Sequence, residues 1–139
     1  MSYFKLFFYL LFVAAIFVQI NAGVLKVATE QDLMNIDSSK PQLVAFTAEW
    51  VGSNKKLEAC FAKWASKYGA LDFVILDIDK FTELMDRWNI STIPTIMLVD
   101  GVNLKKGSIG KEKRFVGFVQ KKIEAELKSL MRDIKKSKK

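Results

Sequence analysis

The only thiol in the chain belongs to Cys60, and the sequence contains no histidine. Without an imidazole the chain cannot assemble a Ser-His-Asp or Cys-His catalytic group, or an ordinary zinc site. A lone cysteine also cannot close an intramolecular disulfide. We therefore expect no metal and no cofactor. The chemistry left to consider is that of one thiol, one glycosylation sequon and many basic side chains.

Cys60 lies in residues 55–68, where apolar side chains recur at helical spacing. It falls about two turns into the predicted helix, where the helix N-terminus no longer lowers the pKa of a thiol and burial raises it. We expect a buried, inert cysteine. The alternative is a monothiol redox protein that forms mixed disulfides through Cys60.

Asn89-Ile90-Ser91 is the only N-glycosylation sequon. The structural alternative is that Asn89 ends the preceding helix in a left-handed conformation, a role that Asn takes where Gly is absent. The two roles are compatible.

The formal net charge of +7 is concentrated near the end of the sequence. Residues 23–110 carry ten basic and eleven acidic side chains, whereas residues 111–139 carry eleven basic and four acidic ones. A basic amphipathic end indicates an anionic membrane surface or a glycosaminoglycan as partner, and the simpler alternative is a solvated tail. The four terminal cations are Lys135, Lys136, Lys138 and Lys139. No nucleic acid is expected, since no matching motif is present.

The first 22 residues are typical of a secretory signal peptide. Lys5 is their only charge, residues 6–20 form an apolar run, and Ala22 supplies a small residue at the expected cleavage point. The run is shorter than the roughly 20 apolar residues of a spanning helix, so an uncleaved anchor is the weaker alternative. We therefore expect the secretory pathway, with the protein secreted or held in the endoplasmic reticulum lumen.

Three short apolar runs in the remaining chain predict central strands covered on both faces: residues 43–46, 73–76 with Ile78, and 96–99. Helices are predicted near residues 30–36, where Thr29 is an N-cap and Asp32 an acidic first-turn residue, and over 55–68 and 81–88. Asp100-Gly101 indicates a hairpin leading into residues 104–109. The last predicted helix has one apolar stripe: Phe115, Phe118, Val119, Ile123, Leu127, Leu130, Met131 and Ile134.

Residues 44–55, with the sequence VAFTAEWVGSNK, resemble the strand, loop and helix start around the W-C-G-P-C-K motif of the thioredoxin family. Residues 76–79 (LDID) are similar to the end of its third strand, 90–95 (ISTIPT) to its cis-proline loop, and Asp100-Gly101 to its final hairpin. The resemblance implies an α/β thioredoxin fold with a central mixed β-sheet of about five strands flanked by about four helices. It places the domain at residues 23–130, after the signal peptide at 1–22 and before a basic tail at 131–139.

The sequence departs from that family where the redox chemistry would be. Val51 and Asn54 stand in place of the two cysteines, so the loop is degenerate over Trp50, Val51, Gly52, Ser53 and Asn54. Dithiol exchange needs an attacking and a resolving thiol. The family's buried acid and buried lysine fall at Ala45 and Ile75, where apolar residues remove the desolvation cost of a charge pair. The resemblance therefore implies a member without oxidoreductase activity.

The family's peptide-holding parts are retained at Trp50, Gly52, Ile93 and Pro94. Capture of an extended peptide by backbone pairing needs no cysteine, so a chaperone-like or scaffolding role follows. We expect a cis Ile93–Pro94 bond, because the cis form before proline costs only about 0.5 to 1 kcal/mol. The alternative to peptide binding is that Pro94 only shapes the fold and that the Trp50 side chain is partly buried by packing. A further alternative is an extracellular effector that docks to anionic surfaces through its basic C-terminal helix.

Overall fold

The computed structural model describes residues 23–34, 36, 39–100, 102–103, 108–109 and 111–139. The predicted signal peptide lies outside these residues. The strands are β1 (Val24–Val27), β2 (Pro41–Thr47), β3 (Asp72–Asp77), β4 (Thr95–Asp100), β5 (Val102–Asn103), β6 (Ser108–Ile109) and β7 (Glu112–Val116). The helices are α1 (Glu30–Met34), α2 (Asn54–Lys67), α3 (Thr82–Arg87) and α4 (Gln120–Ser137).

Five strands form one mixed sheet in the order β1-β3-β2-β4-β7. Strands β1 and β2 run parallel to β3, whereas β4 runs antiparallel to both β2 and β7. The prediction of a mixed sheet of about five strands with about four helices is confirmed.

Both faces of the sheet are covered, which explains the near-continuous apolar runs of the sequence. Successive side chains of a strand point to opposite faces. Val44 and Phe46 therefore enter the core that holds α3, whereas Leu43 and Ala45 enter the core that holds α2 and α4. All four side chains are fully buried. Burial of this kind stabilises a fold by about 1.5–3 kcal/mol for each large apolar side chain.

Helix α1 begins with the predicted cap. The Asp32 backbone N–H donates to Thr29 Oγ1 at 3.2 Å, and the Thr29 backbone N–H donates back to Asp32 Oδ2 at 3.1 Å. This reciprocal pair is a capping box. The Ala28 backbone N–H also donates to Asp32 Oδ2. That bond, followed by the Thr29 hydroxyl, lowers the pKa of Asp32 below its ordinary value.

The prediction that the hairpin after β4 pairs this strand with residues 104–109 is wrong. The strand paired with β4 is β7, whereas β5 and β6 form a small two-stranded sheet of their own. Residues 104–107 of the predicted strand lie outside the described residues. Strand β7 has four charged or exposed positions and one buried side chain, Phe115, so its sequence lacks the apolar pattern of a central strand.

The start of the last helix is also later than predicted. Phe115 lies in β7, and Phe118 and Val119 precede α4, which begins at Gln120. Their apolar side chains still belong to the same core, and the ring of Phe118 lies 6.3 Å from that of Trp64, centroid to centroid. A strand and a helix that bury the same core can therefore produce one continuous apolar pattern in the sequence.

Helix α4 lies against the sheet through its apolar face. Ile123 and Leu127 are fully buried, and Leu130 and Met131 pack against the same core, so the packed helix continues past residue 130. Trp64 Nε1 donates to Glu124 Oε1 at 3.3 Å and joins α4 to α2. Within the described residues, no helix is long and apolar enough to cross a membrane.

Candidate functional site

Strands β2, β4 and β7 all have an end at one edge of the sheet, where the register pairs Thr95 with Phe46 on one side and with Val116 on the other. The connection from β2 to α2 and the turn before β4 therefore emerge at the same edge. These two segments contain the loop and the proline singled out from the sequence.

Trp50 lies in the β2–α2 connection and its side chain is 68% exposed. Its Nε1 donates a hydrogen bond to Asp79 Oδ2 at 2.8 Å, and the Asp79 backbone N–H donates to Asp77 Oδ1 at 3.0 Å. The indole is therefore held by its polar atom while most of its apolar surface faces solvent. Such a ring is a preformed contact surface for an apolar ligand group.

Next along the loop, Gly52 is exposed, and a Cβ built there would meet no heavy atom within 4 Å. Val51 is half-buried and packs against the core that holds α3. Ser53 precedes the first turn of α2, but its side chain makes no capping hydrogen bond. The loop is thus open beside Trp50 at Gly52, and it contains no thiol.

Asn54 is buried and belongs to a chain of polar contacts that the sequence did not predict. Thr47 Oγ1 donates to Asn54 Oδ1 at 3.2 Å, and Asn54 Nδ2 reaches Glu58 Oε1 at 3.4 Å. Glu58 Oε2 lies 3.1 Å from Lys26 Nζ. Only the i, i+4 spacing of Asn54 and Glu58 was visible in the sequence. Where the family motif has its resolving cysteine, this chain has a polar link from α2 to two strands.

Ala45 and Ile75 face each other in adjacent strands, as register partners of β2 and β3. Both belong to the core that holds α2 and α4, and their exposed fractions are 0% and 6%. An apolar contact therefore occupies the position of the family's buried acid and lysine, and it needs no compensating hydrogen bond.

The Ile93–Pro94 peptide bond is cis, as predicted. Pro94 is buried, and its carbonyl oxygen accepts a hydrogen bond from the Gly117 backbone N–H at 2.8 Å. Ile93 is half-buried. Within the described part of the chain, neither backbone group of Ile93 has a hydrogen-bond partner.

Val116 is a member of this site that the sequence analysis missed. It lies at the end of β7 opposite Thr95, and 63% of its side chain is exposed. Gly117 follows with a φ of 80°, a left-handed conformation that favours glycine. The sequence signal was weak, because the apolar stripe predicted for the last helix begins at Phe115, which lies in β7.

Asn89 adopts the left-handed conformation predicted for it, with a φ of 53°. It follows α3, its side chain is exposed, and its carbonyl oxygen accepts a hydrogen bond from Arg114 Nη1 at 2.7 Å. Arg114 Nη2 also donates to the Trp88 carbonyl at 2.9 Å. The sequon is thus held at the surface by β7, and its glycosylation stays a prediction.

Cys60 lies in the middle of α2 and is half-buried against the core, less completely than predicted. Burial raises the pKa of its thiol, and the Glu124 carboxylate raises it further. Since the thiolate is the reactive form, this position suppresses thiol chemistry. The four terminal lysines, Lys135, Lys136, Lys138 and Lys139, are all exposed at the far end of α4 and beyond it.

Comparison with known proteins agrees with this architecture. The thioredoxin family profile, described as "Thioredoxin", matches residues 24–134. Thioredoxin H2 of Arabidopsis thaliana is 30% identical over 95 residues, which cover 68% of this chain and 65% of that protein. Putative thioredoxin H10 of the same plant is 35% identical over 65 residues, covering 46% of this chain and 42% of that protein.

Among solved structures, Trichomonas vaginalis thioredoxin superposes with a TM-score of 0.64 at 24% identity, over 78% of this chain and 97% of that one. Thioredoxin O1 of Arabidopsis thaliana in its oxidised state gives a TM-score of 0.61 at 24% identity, over 77% and 96%. These structures share the fold of the five-stranded sheet and its helices. The chain belongs to the thioredoxin family and carries Val51 and Asn54 where the family motif has its two cysteines.

Proposed function

We propose that this protein binds extended protein segments in the secretory pathway, as a secreted or lumenal chaperone-like or scaffolding module without disulfide oxidoreductase activity. The observation that carries the proposal is an exposed apolar pair at one edge of the sheet. Among the described residues, Trp50 and Val116 are the only large hydrophobic side chains left mostly exposed. Exposed aromatic and apolar side chains at a rigid edge are typical of interaction sites.

Ile93 supports an extended ligand rather than a compact one. Its backbone N–H and C=O are without partners in the described part of the chain, and it immediately precedes the buried Pro94. An extended peptide can pair with such groups as an added strand while its side chains contact neighbouring apolar surface. Trp50 and Val116 supply that surface at the same edge.

The loop chemistry supports the absence of oxidoreductase activity. Exchange of a dithiol with a disulfide requires one thiolate to attack and a second thiol to release the product. Val51 and Asn54 provide neither, and the positions of the family's buried acid and lysine are occupied by the apolar side chains of Ala45 and Ile75.

An insulin-reduction assay tests the redox part of the proposal. With dithiothreitol as reductant, we expect the protein to leave the rate of insulin precipitation at background, while a thioredoxin that retains both cysteines accelerates it. The competing monothiol function predicts turnover that disappears in Cys60→Ser. Turnover above background would therefore refute the redox-inactive proposal, and its loss in that variant would establish Cys60 as the source.

Surface plasmon resonance tests the binding part. The probe is reduced and carboxymethylated α-lactalbumin, which stays unfolded and carries no thiol. We expect Trp50→Ala and Val116→Ser each to weaken binding about tenfold, since exposed anchors dominate such interfaces. Lys56→Ala, an exposed change on α2, is the matched control and should leave affinity unchanged. Equal affinity of all four proteins would place the ligand elsewhere.

The secretory location and the glycan are tested together. Asn89 is exposed, so an oligosaccharide could be attached without disturbing the core. We expect protein secreted by a eukaryotic host to gain gel mobility on glycosidase treatment, and Asn89→Gln to remove the shift. Retention of the chain in the cytosol of that host would contradict the location.

A further inference from the structure

The outward face of α4 carries four exposed cations: Lys121, Lys128, Arg132 and Lys135, which we call the basic stripe. At 3.6 residues per turn they fall within about 60° of the helix circumference, and at 1.5 Å per residue they extend over about 21 Å. The buried Ile123 and Leu127 lie about 150° and about 110° around the helix from the centre of the stripe. The stripe is therefore a straight row of positive charge directed away from the core.

One carboxylate of α4, Glu124, lies beside this row: its pKa is lowered by a hydrogen bond from the Gln120 side chain and, less strongly, by the charge of Lys128. Glu112 and Glu126 pair with Arg114 and Lys113, at 3.4 Å and 2.6 Å. Glu124 accepts hydrogen bonds from Gln120 and Trp64. Among the residues that the structure describes, no stripe cation forms an ion pair. Apart from the interaction of Lys128 with Glu124, the charge of the stripe is thus available to an external anion.

A groove of about 490 Å³ runs between the C-terminal part of the stripe, from Lys128 to Lys135, and the end of α2. Its more buried lining includes Tyr68 and Met131, and its exposed rim adds Lys67 to the stripe. Lys67 Nζ lies 5.4 Å from the centroid of the Tyr68 ring. Lys67 of α2 therefore adds a cation beside the stripe, on the other side of the groove.

The apolar side of α4 argues against a membrane as the partner. Helices that lie in a bilayer interface insert an exposed apolar face between lipids. Here that face is used within the fold, since Ile123 and Leu127 are buried and Leu130 and Met131 pack against the core. The exposed surface of the helix is mainly charged, and it matches a linear polyanion.

We propose that the basic stripe and Lys67 bind a linear sulfated polysaccharide of the glycosaminoglycan class. A linear polymer with closely spaced anions can follow a row of about 21 Å, and it needs no apolar insertion. Single-stranded nucleic acid binding relies on exposed aromatic rings that stack on bases. The exposed large hydrophobic side chains of the described residues are Trp50 and Val116, and neither lies on α2 or α4.

Heparin affinity measured against salt concentration tests this proposal. The stripe variant carries Lys121→Gln, Lys128→Gln, Arg132→Gln and Lys135→Gln. The matched control carries Lys40→Gln, Lys56→Gln, Lys80→Gln and Lys111→Gln, which are also exposed and remove the same four charges. We expect the stripe variant to lose at least tenfold in affinity and the slope of log K against log salt to fall by about three units, with little change in the control.

Equal losses in the two variants would overturn the proposal, because binding would then depend on net charge alone. A duplex DNA of matched length or phosphatidylserine vesicles binding more tightly than heparin would assign the stripe to those partners instead. Lysine acetylation of the unmodified protein provides a readout independent of variant folding. Heparin should protect Lys121, Lys128 and Lys135 at least fivefold more than Lys56, and uniform labelling would also overturn the proposal.

Discussion

Replacement of Asn54 by alanine tests the polar chain that occupies the place of the family's resolving cysteine. The change removes the acceptor of the Thr47 hydroxyl at 3.2 Å, and Thr47 is only 2% exposed. Removing this acceptor leaves a buried hydroxyl without a partner, which costs about 1–3 kcal/mol, against a net value of about 1 kcal/mol for an intact hydrogen bond. The contact of Asn54 with Glu58 is long, at 3.4 Å, and adds little. We expect the free energy of unfolding to fall by about 1–3 kcal/mol.

The assay is urea unfolding of a double-mutant cycle with Thr47→Val, which removes the hydroxyl and keeps the shape of the side chain. In that background Asn54→Ala leaves no orphaned hydroxyl, so its cost should be smaller by about 1 kcal/mol or more. Lys56→Ala, an exposed change in the same helix turn, is the control and should stay within about 0.5 kcal/mol. An identical cost of Asn54→Ala in both backgrounds would refute the link between Thr47 and Asn54.

Three further predictions concern single side chains. Maleimide should label Cys60 at least tenfold more slowly in the native protein than in urea, because the thiol is half-buried and its pKa is raised; equal rates would contradict its assignment as inert. Asn89→Gly should leave the melting temperature nearly unchanged, whereas Asn89→Ala should cost about 1 kcal/mol at the φ of 53°, and the reverse order would count against the left-handed cap. The pKa of Asp32 in the folded protein lies below its unfolded value of about 3.9. Asp32 therefore contributes fully to stability above the unfolded pKa, and this contribution is lost as the pH falls through the folded pKa. The stability difference between the wild type and Asp32→Asn, measured by urea midpoints, should therefore shrink at acidic pH, and a constant difference would be inconsistent with the cap.

The sequence predicted the parts of the fold whose signals are local. Central strands appear as continuous apolar runs because both of their faces are buried, and residues 43–46 lie within β2 as expected. The capping box at Thr29 and Asp32 depends on residues three apart, and the left-handed Asn89 depends on the end of its own helix. Each of these features is determined by a few neighbouring residues, so each could be found without a structure.

Features that depend on distant partners could not be found in this way. Strand β7 is an edge strand with one buried side chain, Phe115, so its pairing with β4 left no periodic pattern. The exposure of Val116 follows from that pairing. The contact between Glu58 and Lys26 joins α2 to β1 and depends on the order of the strands. The sequence thus indicated Trp50, Gly52, Ile93 and Pro94, but not Val116 or the contacts behind Asn54.

The three tryptophans occupy different environments, which provides the protein with separate optical reporters. Trp50 is 68% exposed, whereas Trp64 and Trp88 are each 2% exposed, in the two cores on opposite faces of the sheet. Iodide should quench the emission of Trp50 alone, and a ligand that covers the loop should protect it from quenching. The buried indoles should change their emission only when the cores open. One fluorescence titration can therefore distinguish occupation of the loop from loss of the fold, without an added label.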